Sequence, residues 1–439
     1  MFGGRFFDIA IAGAGPAGSV AAVLLANAGF RVALAGLLPG HTRIEGMAPR
    51  VLEVLRGKGL PVEGIFPACR REVRWGALSG SRNLEHVTDR ARFDAGLLRA
   101  AAEAGVTVLT RAVARVQPEH GRILLAGGGV VRAALLFEAR GRRAPRMPGA
   151  LQGPQTLAVT GMVPASQRTA FAACVEARKE GWLWIADLGD GTRWVQAACD
   201  GPPAARDAAA RVAALWHTVA GEDLPLPQAP QVRAIAPRLT APRFDPRCPR
   251  LGDAAVALDP LSGHGMFWAV SSALMALPVA RALLTGGADL ARDFYLDRVR
   301  STFWRQSRVG RDFYRAAGER GGFWQRRCAW PDDTPAHENG TAPRLARRVT
   351  VIDGRLERRE VLITRQEPGG AGFVFGQEIA PLLRRLGPGP LPGADRFRAA
   401  CAPDLPEPLA RTLHQWLQSR GLGQPGALKK LSHDREYEA

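Results

Sequence analysis

The sequence predicts an α/β protein, in which a Rossmann-type domain carries an inserted β-sheet domain and a small α+β domain follows at the C-terminal end. Three observations predict this class. A glycine-rich turn joins an apolar strand to an alanine-rich helix near residue 13, tryptophans alternate along a later strand-like segment, and a hairpin pattern follows a polar linker. The 439 residues suffice for two or three domains, and the 46% hydrophobic and 23% charged residues exclude disorder as the main state.

The N-terminal segment has the pattern of a dinucleotide-binding β-α-β unit. An apolar strand over residues 7–12 leads into G-x-G-x-x-G, an Ala/Val/Leu-rich helix follows from Ser19, and the next strand covers residues 31–35. The first glycine permits a tight turn, the second lets a pyrophosphate approach the backbone, and the third lets the helix pack closely on the strand. The helix N-terminus then holds the phosphates. The predicted binding residues are Gly13, Gly15, Pro16, Ala17 and Gly18.

One part of this pattern is missing. An acidic residue about 20 positions after the glycines normally binds the ribose hydroxyls. Here the second strand ends with Leu34, Ala35 and Gly36, none of which is acidic. The sequence therefore predicts a weaker grip on the adenosine half of the dinucleotide.

Later segments narrow the choice of dinucleotide. Residues 86–94 predict a loop followed by a helix that continues to residue 105, and residues 135–142 predict a strand that reaches a turn. Then come R-L-G-D-A-A at residues 250–255 and D-P-L-S-G-H-G-M at residues 259–266, which lead into a long helix. In this order, residues 5–330 resemble the single-component (class A) flavin monooxygenases and the flavin-dependent halogenases.

The resemblance implies FAD as the cofactor. It implies that Asp253 binds the ribityl chain, that Pro260 borders the isoalloxazine, and that the helix after Gly265 directs its N-terminus at the pyrimidine edge, where it would stabilise reduced flavin. Arg90 would lie near the phosphates and the flavin face, and Glu45 belongs to a segment that resembles the G-E-S-x-x-P motif of halogenases. The further predicted cofactor-binding residues are Glu45, Arg90, Gly141, Gly252, Asp253, Gly263, Gly265 and Met266.

Three of these assignments have a purely structural alternative. Asp253 would then cap the following turn, Arg90 would be a solvated surface arginine, and the residues around Glu45 would form an ordinary helix start.

Residues 181–186, G-W-L-W-I-A, resemble the W-x-W-x-I-P signature of tryptophan halogenases, with alanine in place of proline. Halogenases also carry a lysine downstream of the G-E-S-x-x-P segment, whereas residues 70–75 here read R-R-E-V-R-W. Halogenation is therefore disfavoured and oxygen transfer is favoured. Trp75, Trp182 and Trp184 are the predicted substrate-pocket residues, and the alternative is a sheet whose tryptophans only pack.

The resemblance implies a reaction in which a flavin C4a-hydroperoxide, formed with O₂, hydroxylates an electron-rich ring. NAD(P)H or a separate reductase would reduce the flavin. Pro260 and His264 are the predicted catalytic residues, with His264 as the acid–base group beside the flavin. The alternative for His264 is a loop residue without a chemical role.

The domain boundaries follow from these segments. The FAD-binding domain is predicted to be discontinuous, over residues 1–75, 85–150 and 245–300, and the substrate domain covers 76–84 and 151–244. Connecting helices occupy 301–335. A small C-terminal domain covers 336–439, where a hairpin with an Asp353–Gly354 turn precedes two amphipathic helices. It is interpreted as a partner-binding module or a stabilising cap, with a winged-helix DNA-binding module as a third alternative.

The net charge of the chain indicates which kinds of partner it could bind. The sequence has 59 lysines and arginines and 41 acidic residues, which gives a net charge of +18. Such a balance is typical of proteins that bind nucleic acid, an anionic membrane surface or an acidic partner. Almost all the basic residues are arginines, and they are scattered rather than clustered. Two interpretations remain: a coding bias, or an acidic protein partner. Nucleic acid is not expected to be a ligand.

Cysteines and the N-terminal segment indicate the compartment. Six cysteines lie far apart without a C-x-x-C pair, which predicts reduced thiols rather than disulfides or a zinc site, and no metal is expected. A strand begins almost at the N-terminus without a signal peptide, and no run of about 18 apolar residues free of charge was found. We therefore expect a cytoplasmic protein without a membrane span.

Together the features resemble the flavin monooxygenases that hydroxylate a peptidyl tryptophan in the small subunit of quinohemoprotein amine dehydrogenase during quinone cofactor biogenesis. The resemblance implies a protein or peptide substrate, acidic if the surplus of arginine has a role. Three alternatives remain open: a hydroxylase of a free small aromatic, a reductase of prenyl chains, and a non-catalytic flavoprotein that escorts a partner.

Overall fold

The computed structural model describes residues 6–165, 171–201, 207–336, 343–387, 390–401 and 403–423. The chain divides into two compact units. The first unit comprises Met1–Ala280 and Val299–Ala336, and the second comprises Arg281–Arg298 and His337–Ala439.

The first unit contains most of the strands and helices, and two long helices continue into the second unit. Its strands are β1 (Phe6–Ala12), β2 (Val32–Ala35), β3 (Ile44–Met47), β4 (Ile65–Trp75), β5 (Leu78–Asp89), β6 (Thr107–Leu109), β7 (Val113–Gln117), β8 (Arg122–Leu125), β9 (Val130–Glu138), β10 (Leu151–Gln152), β11 (Leu157–Pro164), β12 (Ala172–Arg178), β13 (Gly181–Asp187), β14 (Thr192–Cys199), β15 (Gln231–Ala234), β16 (Arg238–Leu239) and β17 (Val256–Ala257). The helices are α1 (Pro16–Asn27), α2 (Pro49–Gly57), α3 (Arg90–Glu103), α4 (Ala208–Ala220), α5 (Gly265–Leu284), α6 (Ala288–Ala316) and α7 (Gly322–Cys328).

The nucleotide side of the first unit is a six-stranded sheet in the order β6-β2-β1-β9-β8-β7. Strands β6, β2, β1 and β9 run parallel, while β7 and β8 form an antiparallel edge. The strand order reverses at β1, because β2 and β6 lie on one side of it and β9 on the other. In open α/β sheets ligands bind at such a reversal, outside the carboxyl ends of the strands.

The second sheet of this unit has eight strands in the order β15-β11-β14-β13-β12-β4-β5-β3. Side chains alternate between its two faces. Leu183 packs in a core with Trp216 of α4, whereas Trp182 and Trp184 pack on the opposite face with Tyr314 of α6. The tryptophan pattern thus predicted a strand correctly.

Two local predictions differ from this sheet. Residues 86–89 were expected to form a loop, but they end β5 because β3 and β4 pair with it on both sides. Residues 44–47 form β3, which the sequence analysis did not predict. The β4–β5 hairpin spans residue 75, where a domain boundary was set, and the domain boundaries stay a prediction.

The second unit is a small α+β structure. Strands β18 (Arg344–Ile352) and β19 (Arg355–Ile363) form the expected hairpin, and the backbone at Asp353 and Gly354 has φ of +48° and +73°, as its two-residue turn requires. The remaining elements are β20 (Phe373–Val374), β21 (Gln377–Glu378), α8 (Ile379–Leu386), α9 (Ala394–Cys401) and α10 (Glu407–Ser419). Helix α9 was not predicted, because its eight residues are mostly polar and present only Phe397 and Cys401 to the core.

One helix in the described ranges, α5, is long and apolar enough to cross a membrane by length and composition. However, 56% of its most apolar window is buried within the protein, and core helices of soluble proteins meet the same two criteria. The sequence predicted a long helix here but no membrane span, since Ser271 and Ser272 interrupt its apolar run and Arg281 follows sixteen residues after Gly265.

We predict that the second unit depends on Phe397. Its ring is fully buried among the leucines of α8 and α10, so Phe397→Ala should lower the free energy of unfolding by about 3–5 kcal/mol. Phe373→Ala is the matched control, because that ring is 43% exposed in the same unit. Chemical denaturation followed by circular dichroism measures both, and equal losses would contradict the packing described here.

Candidate functional site

The glycine-rich turn lies at the carboxyl end of β1 with the geometry that its sequence predicts. Gly13 has φ of +121°, and a Cβ atom on it would lie 2.2 Å from the carbonyl oxygen of Ala139. A Cβ on Gly18 would lie 1.9 Å from the carbonyl oxygen of Gly13, so helix α1 packs directly against the turn. Gly15 is different, since nothing lies within 4 Å of its Cβ position. The structure thus leaves open space at the N-terminus of α1, where Pro16 begins the helix.

The end of β2 explains the missing acidic residue. A Cβ on Gly36 would lie 2.5 Å from the backbone nitrogen of Ala14, so no side chain fits at this position. The tight approach of β2 to the glycine turn therefore excludes the usual ribose-binding carboxylate.

Asp253 is brought to the same place from a distant part of the chain. Gly252 begins a 3-10 turn, Gly252–Ala254, and its Cβ position is 2.9 Å from Cβ of Ala17 in α1. Within helix α5, Ser272 accepts a hydrogen bond from the Gly252 N–H at 2.8 Å, and the Trp268 indole donates to the Gly252 carbonyl at 3.1 Å. These contacts place the turn that carries Asp253 beside Ala17, in the first turn of α1.

Gly141 and Arg142 lie on the other side of Asp253. Gly141 follows β9 with φ of +61°, and its Cβ position is 3.8 Å from Cβ of Asp253. Arg142 Nε lies 3.5 Å from Asp253 Oδ2, while its other nitrogens donate to backbone carbonyls such as that of Ala236. Burial lowers the pKa of Arg142. The sequence analysis noted this segment but did not single out Arg142.

The structure brings Arg90 and Glu45 into direct contact. The Arg90 guanidinium donates to Glu45 Oε2 at 2.7 Å and to both carboxylate oxygens of Asp94 at 2.9 Å. Burial opposes ionisation of Glu45, but Arg43 and Arg90 hold its pKa down to about 2. Only 8% of Arg90 is exposed, and its contacts with Glu45 and Asp94 join β3 to α3. Its contact with the cofactor stays a prediction.

A cluster of cations that the sequence analysis missed lies near Glu45. His41 Nε2 is 2.6 Å from Arg233 Nη2, and burial together with Arg233, Arg43 and Arg143 lowers the pKa of His41. Burial and the charge of Arg43 lower the pKa of Arg233 to about 10. Positive charges this close together favour the binding of an anion, and the two phosphates of FAD are anionic. No sequence signal marks this cluster, because scattered arginines are common in the chain.

The turn that the resemblance places beside the isoalloxazine is held by Asp259. The Asp259 carboxylate accepts a hydrogen bond from the Leu261 N–H at 3.0 Å and caps the 3-10 turn Pro260–Ser262. Gly263 follows with φ of +64°, and helix α5 begins at Gly265. Met266 is buried in the first turn of this helix.

His264 lies half-buried between the two glycines. Its ring makes an edge contact with the ring of Phe267, with 6.2 Å between the centroids. Its carbonyl accepts from the Trp268 N–H at 2.8 Å. The proposed acid–base role of His264 and the flavin contact of Pro260 both stay predictions.

A buried hydrogen-bonded chain connects this turn to the eight-stranded sheet. The Tyr314 hydroxyl donates to Asp259 Oδ2 at 2.9 Å and accepts from the Trp182 indole at 3.3 Å. Burial raises the pKa of Asp259 and of Tyr314. Asp259 and Tyr314 are 55 residues apart, so no local pattern predicts their contact.

The three predicted pocket tryptophans lie on one face of this sheet. Trp75 is buried, donates from its indole to the Phe313 carbonyl at 2.7 Å and packs edge-on against Trp324. Trp182 is also fully buried, whereas Trp184 is 9% exposed and donates to Glu85 Oε1 at 3.2 Å. The structure therefore shows tryptophans that pack, and their contact with a substrate stays a prediction.

Arg71 lies on the same face and was noted only as part of a segment without lysine. Its Nη1 is 3.8 Å from Glu85 Oε2 and 3.6 Å from the Cβ position of Gly263. The eight-stranded sheet and the 3-10 turn thus meet at a charged pair that lies beside Trp184.

The residues present fit FAD. The open N-terminus of α1 suits the pyrophosphate, Asp253 suits the ribityl hydroxyls, and the N-terminus of α5 suits the charge of reduced flavin. A site of this composition on a Rossmann-type sheet defines a flavin-dependent oxidoreductase.

Comparison with solved structures agrees. The chain is 33% identical to the "peptidyl tryptophan dihydroxylase QhpG essential for tryptophylquinone cofactor biogenesis", over 95% of this chain and 100% of that one, with a TM-score of 0.76. CmlS, a flavin-dependent halogenase, is 18% identical over 95% and 94% of the two chains, with a TM-score of 0.68. The myxobacterial chondrochloren halogenase CndH is 21% identical over 74% and 86%, with a TM-score of 0.57.

No protein-family model matches the chain, and no curated protein matches it significantly. The end-to-end likeness to the dihydroxylase shows the family, and the two halogenases share the fold. This chain belongs to the family of FAD-dependent monooxygenases and halogenase-like flavoproteins, and it is a flavin-dependent oxidoreductase that uses FAD.

We predict that Gly15→Ala weakens FAD binding without harming the fold. Its backbone φ of −74° suits alanine, but the new methyl group would occupy the space that the pyrophosphate needs. The dissociation constant for FAD should rise about tenfold or more. Gly57→Ala in α2 is the matched control, since its Cβ position is equally open. Titration of the apoprotein with FAD measures both, and equal affinities in the two variants would contradict the assignment.

We also predict that Tyr314→Phe destabilises the first unit. The change leaves a buried carboxylate without its hydroxyl donor and should lower the free energy of unfolding by about 1–3 kcal/mol. A double-mutant cycle with Asp259→Asn, measured by chemical denaturation, isolates the contact. Additive losses would show that the two side chains do not interact.

Proposed function

We propose that this chain is an FAD-dependent monooxygenase that hydroxylates the ring of a tryptophan in a protein or peptide. The substrate we favour is the small subunit of quinohemoprotein amine dehydrogenase, during biogenesis of its quinone cofactor. The observation that carries the proposal is the 33% identity to the peptidyl tryptophan dihydroxylase along 95% of this chain and the whole of that one.

The residues of this chain support oxygen transfer over halogenation. Residues 70–75 contain three arginines and no lysine, and the side chain beside the Gly263 turn is the guanidinium of Arg71. A guanidinium stays protonated, so it cannot act as the amine nucleophile that a lysine provides.

Bound FAD would supply the activation of O₂ once it is reduced. The chain would bind the pyrophosphate at Gly15 and α1, hold the ribityl chain at Asp253, and keep the isoalloxazine turn in place through Asp259 and Tyr314. The buried tryptophans Trp182 and Trp184 would exclude water from the reacting ring. His264, half-buried beside the turn, would accept the proton that the ring loses.

A protein substrate also agrees with the charge. The net charge of +18 would attract an acidic partner at low ionic strength. All six cysteines are free thiols, which supports the expectation of a reducing, cytoplasmic compartment.

The test is a mass assay. The enzyme with FAD, a reductant and O₂ should add about 16 or 32 Da to the small subunit, or to a peptide that carries its tryptophan. The label should come from isotopic O₂, and a peptide with phenylalanine in place of tryptophan is the matched control. A mass gain that requires chloride or bromide would overturn the oxygenation proposal. Turnover of a free small aromatic alone would overturn the peptide substrate, and flavin binding without any product would favour an escort role.

A further inference from the structure

Arg71 is a mostly buried cation, and one of its hydrogen-bond donors lacks a partner among the described residues. Only 20% of its side chain is exposed. Its Nε is buried and has no hydrogen-bond acceptor among the residues that the structure describes. Its ion pair with Glu85 spans 3.8 Å, which is longer than a hydrogen bond. Burying a charge is costly unless it is paired and hydrogen-bonded, so this site is poorly explained by stability alone.

The surroundings make the pair more unusual. Arg71 and Glu85 stand on neighbouring strands, β4 and β5, on the face of the sheet that packs with Trp182 and Trp184. The Trp184 indole donates to Glu85 Oε1 at 3.2 Å. Burial raises the pKa of Glu85, although Arg71 and Trp184 act in the opposite direction. The Glu85 carboxylate therefore accepts a hydrogen bond from Trp184 at one oxygen and faces Arg71 with the other.

The Glu85 carboxylate fills the space beside Gly46. Gly46 of β3 lies opposite, and a Cβ atom there would be 2.5 Å from Glu85 Oε2 and 3.5 Å from Cζ2 of Trp184. Any larger residue at position 46 would displace Glu85. The carboxylate thus occupies the space that the missing side chain leaves.

Arg71 also meets the turn that precedes α5. Its Nη1 lies 3.6 Å from the Cβ position of Gly263, whose φ of +64° turns the backbone between Pro260 and Gly265. The Arg71 guanidinium thus lies where the eight-stranded sheet meets this turn, and its buried Nε has no acceptor within the part of the chain that the structure describes. This combination indicates a ligand with negative charge at this point.

We propose that Arg71 is a further catalytic residue: it donates a hydrogen bond to the oxygen on which negative charge develops during oxygen transfer, and Glu85, held by Trp184, is the positioning residue that orients it. This inference rests on the proposed monooxygenase function. It assigns roles to two side chains outside the glycine motifs and the pocket tryptophans.

In the proposed reaction, one atom of O₂ forms a C–O bond with a ring carbon and carries one proton as the new hydroxyl group. The C–H bond at that carbon breaks, so that its electron pair returns to the ring and its proton leaves. The second oxygen atom takes the two electrons supplied by the reductant when the O–O bond breaks, and two protons complete water. Arg71 stabilises the negative charge on that second oxygen until it is protonated. Loss of one such donor costs about 10²–10³ in rate in other enzymes.

Arginine suits this role for a chemical reason. Its guanidinium remains charged throughout, so it donates without losing its proton to the solvent or to Glu85. Its Nη1 lies near both Glu85 and the turn, and the planar guanidinium carries further N–H donors for a ligand.

The test uses sulfite, an anion that adds to oxidised flavin and so reports positive charge beside the isoalloxazine without any substrate. Arg71→Met in the FAD-loaded enzyme should raise the sulfite dissociation constant by about tenfold or more, as expected for one charge lost within ~4–6 Å. FAD affinity should be unchanged, because the pyrophosphate site is elsewhere. With substrate, more of the reduced flavin should yield hydrogen peroxide and less should yield hydroxylated product.

Three further variants serve as controls for Arg71→Met. Arg70→Met is the matched control, since Arg70 is exposed on the same strand. Arg71→Lys keeps the charge and should recover sulfite affinity, which serves if Arg71→Met fails to fold. Glu85→Gln keeps the hydrogen bond from Trp184 and removes a negative charge, so sulfite should bind at least as tightly as in the wild type while product yield per reduced flavin falls.

Wild-type sulfite affinity and wild-type product yield in Arg71→Met would overturn the proposal. Because sulfite binding needs no substrate, a wrong choice of substrate under the proposed function would leave this readout intact, and the two failures are distinguishable.

Discussion

The glycine-rich turn at the carboxyl end of β1 depends on very close contacts between backbone segments. Gly13 touches the segment after β9, Gly18 lets α1 lie on the turn, and Gly36 brings β2 against Ala14. Three separate elements converge there only because no Cβ intervenes. The resulting space at the start of α1 is where a pyrophosphate fits, and the same crowding excludes a ribose-binding carboxylate from β2.

Buried polar contacts then attach the catalytic side to this frame. Asp259 caps the turn before α5, and Tyr314 connects it to Trp182 in the eight-stranded sheet. A buried carboxylate without these donors would carry its full desolvation cost, so the contacts are coupled. The turn, the long helix α6 and the sheet thereby hold one another in place around Gly263.

The structure assigns individual arginines different contacts, which the amino-acid composition does not reveal. Arg90 joins β3 to α3, and Arg327 donates to the backbone and to Thr156 from a buried position, so both cations make contacts that stabilise the fold. Others, around His41 and Arg233, crowd together and lower one another's pKa, which suits a bound anion. The scatter that the sequence shows is resolved into distinct roles only when distant positions are brought into contact.

The sequence by itself determined the β-α-β unit with its three glycine roles, the Asp353–Gly354 hairpin and the strand that carries Trp182 and Trp184. Each of these depends on residues that are neighbours in the chain, so local sterics and side-chain alternation are sufficient. Only the tertiary structure decided that Arg90 is bound by two carboxylates, that Tyr314 reaches Asp259 across 55 positions, and that Arg71 meets Glu85 and Gly263. These contacts join strands, a turn and a helix that are distant in sequence, and no periodicity records which side chains the fold will bring together.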